Sequence, residues 1–211
     1  MMEQELFHIH KVTNKNDHWS NNKIININDN YNSIMNQRHQ NFSQLVNVFE
    51  GGSQEYINFS FILADYMRRI NNLSVIKNDD IIELKRLLEI GYQMTYNADL
   101  FRREEALENY RKDNLSHLPS RLHAMYLCDN DGIEYWQDVI SQNDKIETEI
   151  YRVLASGDIF KTNEQLLPSE ISTYQETYQQ AFKYWNPKFK NLPNYTNEYL
   201  IRGKIKVLEK I

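Results

Sequence analysis

The chain is poor in cysteine, glycine and proline, and each shortage removes a class of protein. Cys128 is the one cysteine in 211 residues. No intrachain disulfide is possible, a disulfide-stapled secreted domain is excluded, and a cytoplasmic location is the expectation. The 6 glycines form neither a GxGxxG nor a Walker-type phosphate loop, which argues against a Rossmann dehydrogenase and a P-loop NTPase. A GxSxG nucleophile elbow is missing too. His8 and His10 would point to one face of a strand. However, there is no HExxH motif, no cysteine pair and no acidic residue at ligand spacing, so no metal is expected. No apolar run approaches the length of a membrane span. The acidic opening Met1–Glu5 does not read as a signal peptide.

What the chain does have is aromatic area and ordinary globular balance. It carries 14 Tyr, 9 Phe and 3 Trp, with 41% hydrophobic and 25% charged residues. Such rings pack cores and suit a pocket that holds a flat ring. The net charge of −5 gives no global positive field, so affinity built on neutralising phosphates is disfavoured, although a local basic patch would escape this argument. Cys128 follows the apolar run Ala124–Leu127, where a buried inert thiol is expected.

Periodicity orders the elements. Leu6–Val12 alternates as a first strand and Lys23–Ile27 as a second. Gly51–Gly52 breaks the next stretch, after which Phe59, Ile62, Leu63, Tyr66 and Met67 fall on a helical stripe. Asp79–Asp80 starts a helix with Ile81, Leu84, Leu87, Leu88 and Tyr92 on one face. A second, charged helix spans Ala98–Lys112, with Leu100, Leu107 and Tyr110 as its buried positions. Pro119 stops it. Arg121–Cys128 reads as a central strand, Asp131–Gln142 as a short helix, and Lys145–Leu154 as a strand. Pro168 opens a helix to Trp185, and Glu198–Leu208 closes the chain as one or two strands around Gly203. Strands with helices grouped between them predict an α+β fold in one domain, 1–211, with a helical elaboration over about 55–115.

Three segments stand out: Leu6-Phe7-His8-Ile9, Leu118-Pro119-Ser120-Arg121 ahead of an apolar strand, and Tyr184-Trp185 followed by Glu198-Tyr199-Leu200 and Gly203–Val207. This series resembles an uncharacterised bacterial family within the ADP-ribosyltransferase-like folds, over both ends and the centre of the chain but not over 33–76. The resemblance implies a split antiparallel sheet with an inserted helical region and NAD as co-substrate. It matches His8 to the first-strand histidine that contacts the NAD ribose in the H-Y-E branch. Glu198 matches the late-strand acidic residue at the nicotinamide ribose, the catalytic position. Ser120 and Arg121 match a PSR segment with a pocket role, and Tyr126 is the candidate for the middle tyrosine. Asn21–Asn22 stands after Trp19 where a glycine is usual. The implied activity is ADP-ribosyl transfer to a macromolecular acceptor, protein or nucleic acid, as a toxin, phage-defence effector or regulator. An antitoxin or inhibitor protein would be a natural partner.

The residue types fit that chemistry. Breaking the nicotinamide–ribose bond builds positive charge at the anomeric carbon, and a carboxylate on the adjacent 2′-hydroxyl stabilises it in the transition state. Arg121 offers a fixed donor fork to a pyrophosphate, and Tyr126 or Trp185 offers a ring to stack on. Plainer readings stand beside these. His8 is then a half-buried strand residue and Glu198 a surface one. Arg121 pairs with the acidic helix before it, Trp136 and Trp185 are core anchors, and Arg102–Glu105 is a solvated helix face. A catalytically inactive nucleotide-binding or protein-interaction module of the same fold is the alternative function.

Overall fold

A computed structural model describes residues 2–14, 17–29, 31, 67–68, 71, 77–142, 147–169 and 172–211. The Gly51–Gly52 break and the stripe from Phe59 to Tyr66 lie outside the described residues. By contacts the chain divides into two compact units, Met1–Asn36 with Arg103–Ile211, and Gln37–Arg102.

The first unit is built on an antiparallel sheet. Its strands are β1 (Met2–Lys11), β2 (Ile24–Ile27), β3 (Met125–Leu127), β4 (Thr148–Asn163) and β5 (Asn197–Lys210), in the order β1-β4-β5-β2 with β3 also on β5. Helices α1 (Asn78–Asn114), α2 (Ile133–Gln142) and α3 (Tyr174–Trp185) fall between strands. The α+β architecture is thus as expected. β4 runs far beyond the predicted strand Lys145–Leu154, whereas β5 matches the predicted closing strand Glu198–Leu208 to within two residues at each end. Ser156-Gly157 looks like a strand end in sequence, yet Gly157 pairs directly with Gly203 in mid-ladder. Both adopt positive φ, +129° and +149°, and a Cβ on Gly157 would sit 2.5 Å from the Arg202 carbonyl oxygen. Glycine is required at that crossing.

Alternation of β5 gives the sheet two buried faces. Tyr199, Ile201, Ile205 and Val207 pack with Leu6, Ile27, Met125, Tyr151 and Val153 on one side, while Leu200 packs with Leu107, Ala181, Tyr184 and Trp185 on the other. The indole N–H of Trp185 donates to the Leu107 carbonyl at 3.0 Å, fixing α3 to α1. Trp185 is a core anchor. α3 starts at Tyr174 rather than Pro168, because Thr173 and Glu176 form a reciprocal capping box there.

The predicted helices 79–92 and 98–112 are one helix, α1. No proline stands between them, and Gly91 near the end of the first costs only about 1 kcal/mol in a helix. In the second unit Leu87 is buried, whereas Ile81, Leu88 and Tyr92 of the predicted stripe are exposed. Leu100 of the second unit is buried, and in the first unit Leu107 is fully buried and Tyr110 half-buried. Arg103 and Glu104, expected on a solvated face, are buried at 8% and 5% exposure. They share a stripe with Leu107, Glu108 and Arg111, and the charges are paired inside.

The strand expected from Arg121 begins only at Met125. Ser120 captures the first residues in a turn, its Oγ accepting from Leu122 N at 3.2 Å and its carbonyl from Ala124 N at 2.7 Å. Among the described residues, no helix is long and apolar enough to cross a membrane.

Candidate active site

β1 and β3 touch at one rung and then separate. Phe7 and Cys128 exchange both backbone hydrogen bonds at 2.9 Å, and the next pair, Ile9 and Tyr126, is not formed. Cys128, expected as an inert thiol, is 3% exposed, and burial pushes its thiol up to about 12. Beyond this rung lies a cavity of about 120 Å³ walled by Phe7, His8, Ile9, Tyr31, Tyr126, Trp136 and Glu198, among others. An engineered cavity of roughly 150 Å³ accepts benzene, so this one is sized for a single ring.

His8 bridges the split. Its Nδ1 lies 3.1 Å from the Tyr126 carbonyl oxygen, an acceptor, which assigns the ring proton to Nδ1 and leaves a lone pair on Nε2. Burial holds the imidazole down at about 4, so the ring is neutral at pH 7, against the smaller upward pull of the Tyr126 bond. Trp19 stacks flat on it, with ring centroids 4.7 Å apart and planes 6° apart. Trp19 is held in turn by a bond from its backbone N–H to Tyr151 Oη at 2.9 Å. His10 tilts against the same indole at 4.7 Å, and its Nε2 lies 2.8 Å from the Asp17 carbonyl. The Asn21–Asn22 turn forms without glycine because Asn22 takes the left-handed conformation at φ +66°.

The backbone of Ile9 also faces the gap. The Ile150 carbonyl opposite it is taken by Ile211 N at 2.9 Å, and Val12 rather than a neighbour of odd parity bonds across to Glu147. Ile9 is therefore in a non-bonded pair, with its N–H and C=O directed away from β4.

Glu198 enters from β5, 4% exposed. Its Oε1 accepts from Arg121 Nη1 at 2.8 Å and from Tyr184 Oη at 2.5 Å. Arg121, 2% exposed, also bonds Glu104 through Nε at 2.7 Å and Nη2 at 3.3 Å, and Nη1 donates to Tyr184 Oη. Its guanidinium lies between the rings of Tyr126 and Tyr184, at 5.4 and 4.7 Å. Burial alone would raise the Glu104 carboxyl, but the Arg121 and Arg103 guanidiniums beside it bring it below the usual range. Tyr126 Oη donates to the Arg121 carbonyl at 2.9 Å, which fixes the tyrosine ring at the cavity wall.

Of the residues singled out in the sequence, His8, Tyr126 and Glu198 meet at one cavity, from positions separated by nearly the whole chain. Ser120 and Arg121 are not in its wall among the described residues. Arg121 is instead spent on two carboxylates, as in the plainer reading that paired it with the acidic helix. Trp136, read as a core anchor, is half-buried on the wall, its indole N–H on the Asn197 carbonyl at 2.9 Å. Sequence reasoning missed Trp19, Tyr31, Glu104 and the Ile9 peptide edge. Trp19 carried one signal, a large ring inside the polar run Asp17-His18-Trp19-Ser20. Among the described residues, no three His, Cys, Asp or Glu side chains converge as metal ligands.

Residues 6–211 match the family described as "Protein of unknown function (DUF2441)". The chain belongs to that family. No curated protein matches it. The DUF2441 match covers β1 from Leu6 onward, the other four strands and every residue of the cavity named above.

Proposed function

We propose that this DUF2441 protein is an ADP-ribosyltransferase of H-Y-E type, which binds NAD with its nicotinamide in the β1–β3 gap. The observation that carries the reading is the meeting of His8, Tyr126 and Glu198 on one ring-sized cavity. Each group then has a task. The Ile9 N–H and C=O, an open strand edge, pair with the planar carboxamide of nicotinamide as they would with a neighbouring strand. His8 Nε2 accepts from a ribose hydroxyl. The rings of Tyr126 and Trp136 cover the heterocycle. Glu198, with Oε1 already engaged, offers Oε2 to the 2′-hydroxyl, and its charge strengthens that bond as the sugar becomes cationic. The glycosidic electron pair leaves on the nicotinamide nitrogen, which becomes neutral. The acceptor's lone pair closes the new bond at the anomeric carbon, and its proton passes to solvent. The cavity takes one ring, so the rest of the dinucleotide lies outside it.

Nicotinamide release from NAD, followed by chromatography, tests this. Glu198→Gln is expected to lower the rate by about a hundredfold or more while NAD still binds by calorimetry. Undiminished release by that variant would remove Glu198 from catalysis. One observation favours a second reading, a nucleotide-binding member without turnover: Glu198 sits in a paired, buried cluster, as a structural carboxylate would. NAD binding with no nicotinamide released by the unmodified protein is the outcome for that case. Mass spectrometry of cellular protein and RNA for added ADP-ribose identifies the acceptor, and expression beside a neighbouring inhibitor tests the toxin or defence setting.

A further inference from the structure

The buried groups behind Glu198 exceed what the proposed chemistry uses, and they form a chain. We propose that Glu104, Arg121 and Tyr184 are positioning residues that lock Glu198 Oε1 and so reserve Oε2 for the ligand's hydroxyl; this rests on the NAD reading above.

A free carboxylate rotates about its last bond and exchanges its two oxygens. Here both donors converge on Oε1, Arg121 Nη1 at 2.8 Å and Tyr184 Oη at 2.5 Å. Among the described residues all bonds to Glu198 fall on that oxygen. The donor is itself immobilised. Glu104 grips the opposite side of the guanidinium at Nε and Nη2, and two tyrosine rings hold its plane. Only a planar fork reaches two carboxylates in this way, and a lysine ammonium does not. Arg103 Nη2, 3.4 Å from Glu104 Oε1, makes the group of two arginines and two glutamates neutral, which a buried charged cluster needs. The turn that delivers Arg121 is fixed separately. Arg111, paired with Glu108 at 2.7 and 2.9 Å, donates through Nη1 to the carbonyls of Ser116 at 3.0 Å and Leu118 at 2.8 Å, just ahead of Pro119.

The test compares Tyr184→Phe, Glu104→Gln and Arg121→Lys in the full chain. For Tyr184→Phe, kcat for nicotinamide release is expected to fall tenfold or more, toward about a hundredfold, with KM for NAD little changed. That split between kcat and KM is the reading a merely structural role would not give. The other groups that bear on Glu198 (Arg121, Arg103, Glu104, Tyr126, Tyr135, and His8 across the cavity) are unaltered in that variant. Glu104→Gln separates position from charge. It removes a nearby negative charge while keeping the side chain's shape, and kcat falls about tenfold as Arg121 loses its anchor, with KM for NAD little changed. Arg121→Lys loses more than either; if it does not fold, the other two variants decide. A fall in melting temperature with kcat unmoved would reduce the chain to a structural role and overturn the proposal. A readout free of turnover uses ¹³C-carboxyl glutamate, with the Glu198 signal found by its loss in Glu198→Gln. Its position in the native protein is expected to move in Tyr184→Phe, where one of the two donors to Oε1 is lost. Should the unmodified protein release no nicotinamide, the transferase reading fails, and an unmoved Glu198 signal then overturns the positioning chain on its own evidence.

Discussion

His8 couples the cavity to the stability of the fold. Its imidazole is held at about 4 against an ordinary value of 6.5, so the folded state keeps it neutral where the unfolded chain takes up a proton. Stability is therefore complete above pH 6.5 and is lost as pH falls toward 4, by up to about 3 kcal/mol for a shift of this size. His8→Asn keeps a donor to the Tyr126 carbonyl and cannot titrate. Urea unfolding across pH 4–7 should show a shallower pH slope for that variant; identical slopes would mean that the ring is solvated in the fold. Side chains with a chemical type stand out in a sequence, and His8, Tyr126 and Glu198, singled out on a resemblance, line one cavity. Glu104 was not, because a carboxylate in a run of charges on a helix reads as solvated until Arg121 arrives from 17 residues away. The Ile9 peptide edge could not be read at all, since whether a backbone group is paired depends on where two distant strands part.

At the level of elements, the longest ladder turns on a pair of glycines. β4 and β5 cross at Gly157 and Gly203, both at positive φ and each against the other's backbone. Gly157→Ala is expected to destabilise by about 2–4 kcal/mol, through strain at that φ and contact with the Arg202 carbonyl. The midpoint in urea should drop with its slope unchanged, and a shift below half a kilocalorie would show that the strands relax. The same pair explains why the sequence suggested a strand ending near Leu154: Ser-Gly marks turns far more often than mid-strand crossings. The start of α3 was misread for a similar reason. Pro168 is a good helix opener in isolation, but Thr173 with Glu176 satisfies two end groups at once and wins. The merging of two predicted helices into α1 shows the reverse, a boundary drawn where no breaker stood. Element types and their order were legible, whereas boundaries set by side-chain capping and by cross-strand contact were not.

For the whole molecule, the proposed transfer would leave acceptor recognition to local surface, given the acidic balance of −5, and would set that surface next to the mouth between β1 and β3. The feature with the widest consequence is the single rung there. Cys128 stands on it, its Sγ 3.7 Å from the Phe7 carbonyl, and lines the cavity. The protein thereby contains its own gauge of breathing. A thiol reagent such as iodoacetamide reaches that sulfur only during excursions that part Phe7 from Cys128, so the alkylation rate in native buffer counts those excursions. An NAD molecule seated in the gap should slow the reaction in proportion to occupancy. A rate indifferent to saturating NAD would locate the dinucleotide elsewhere. No label needs to be engineered, because the chain has one sulfhydryl and the fold has put it at the hinge of the opening.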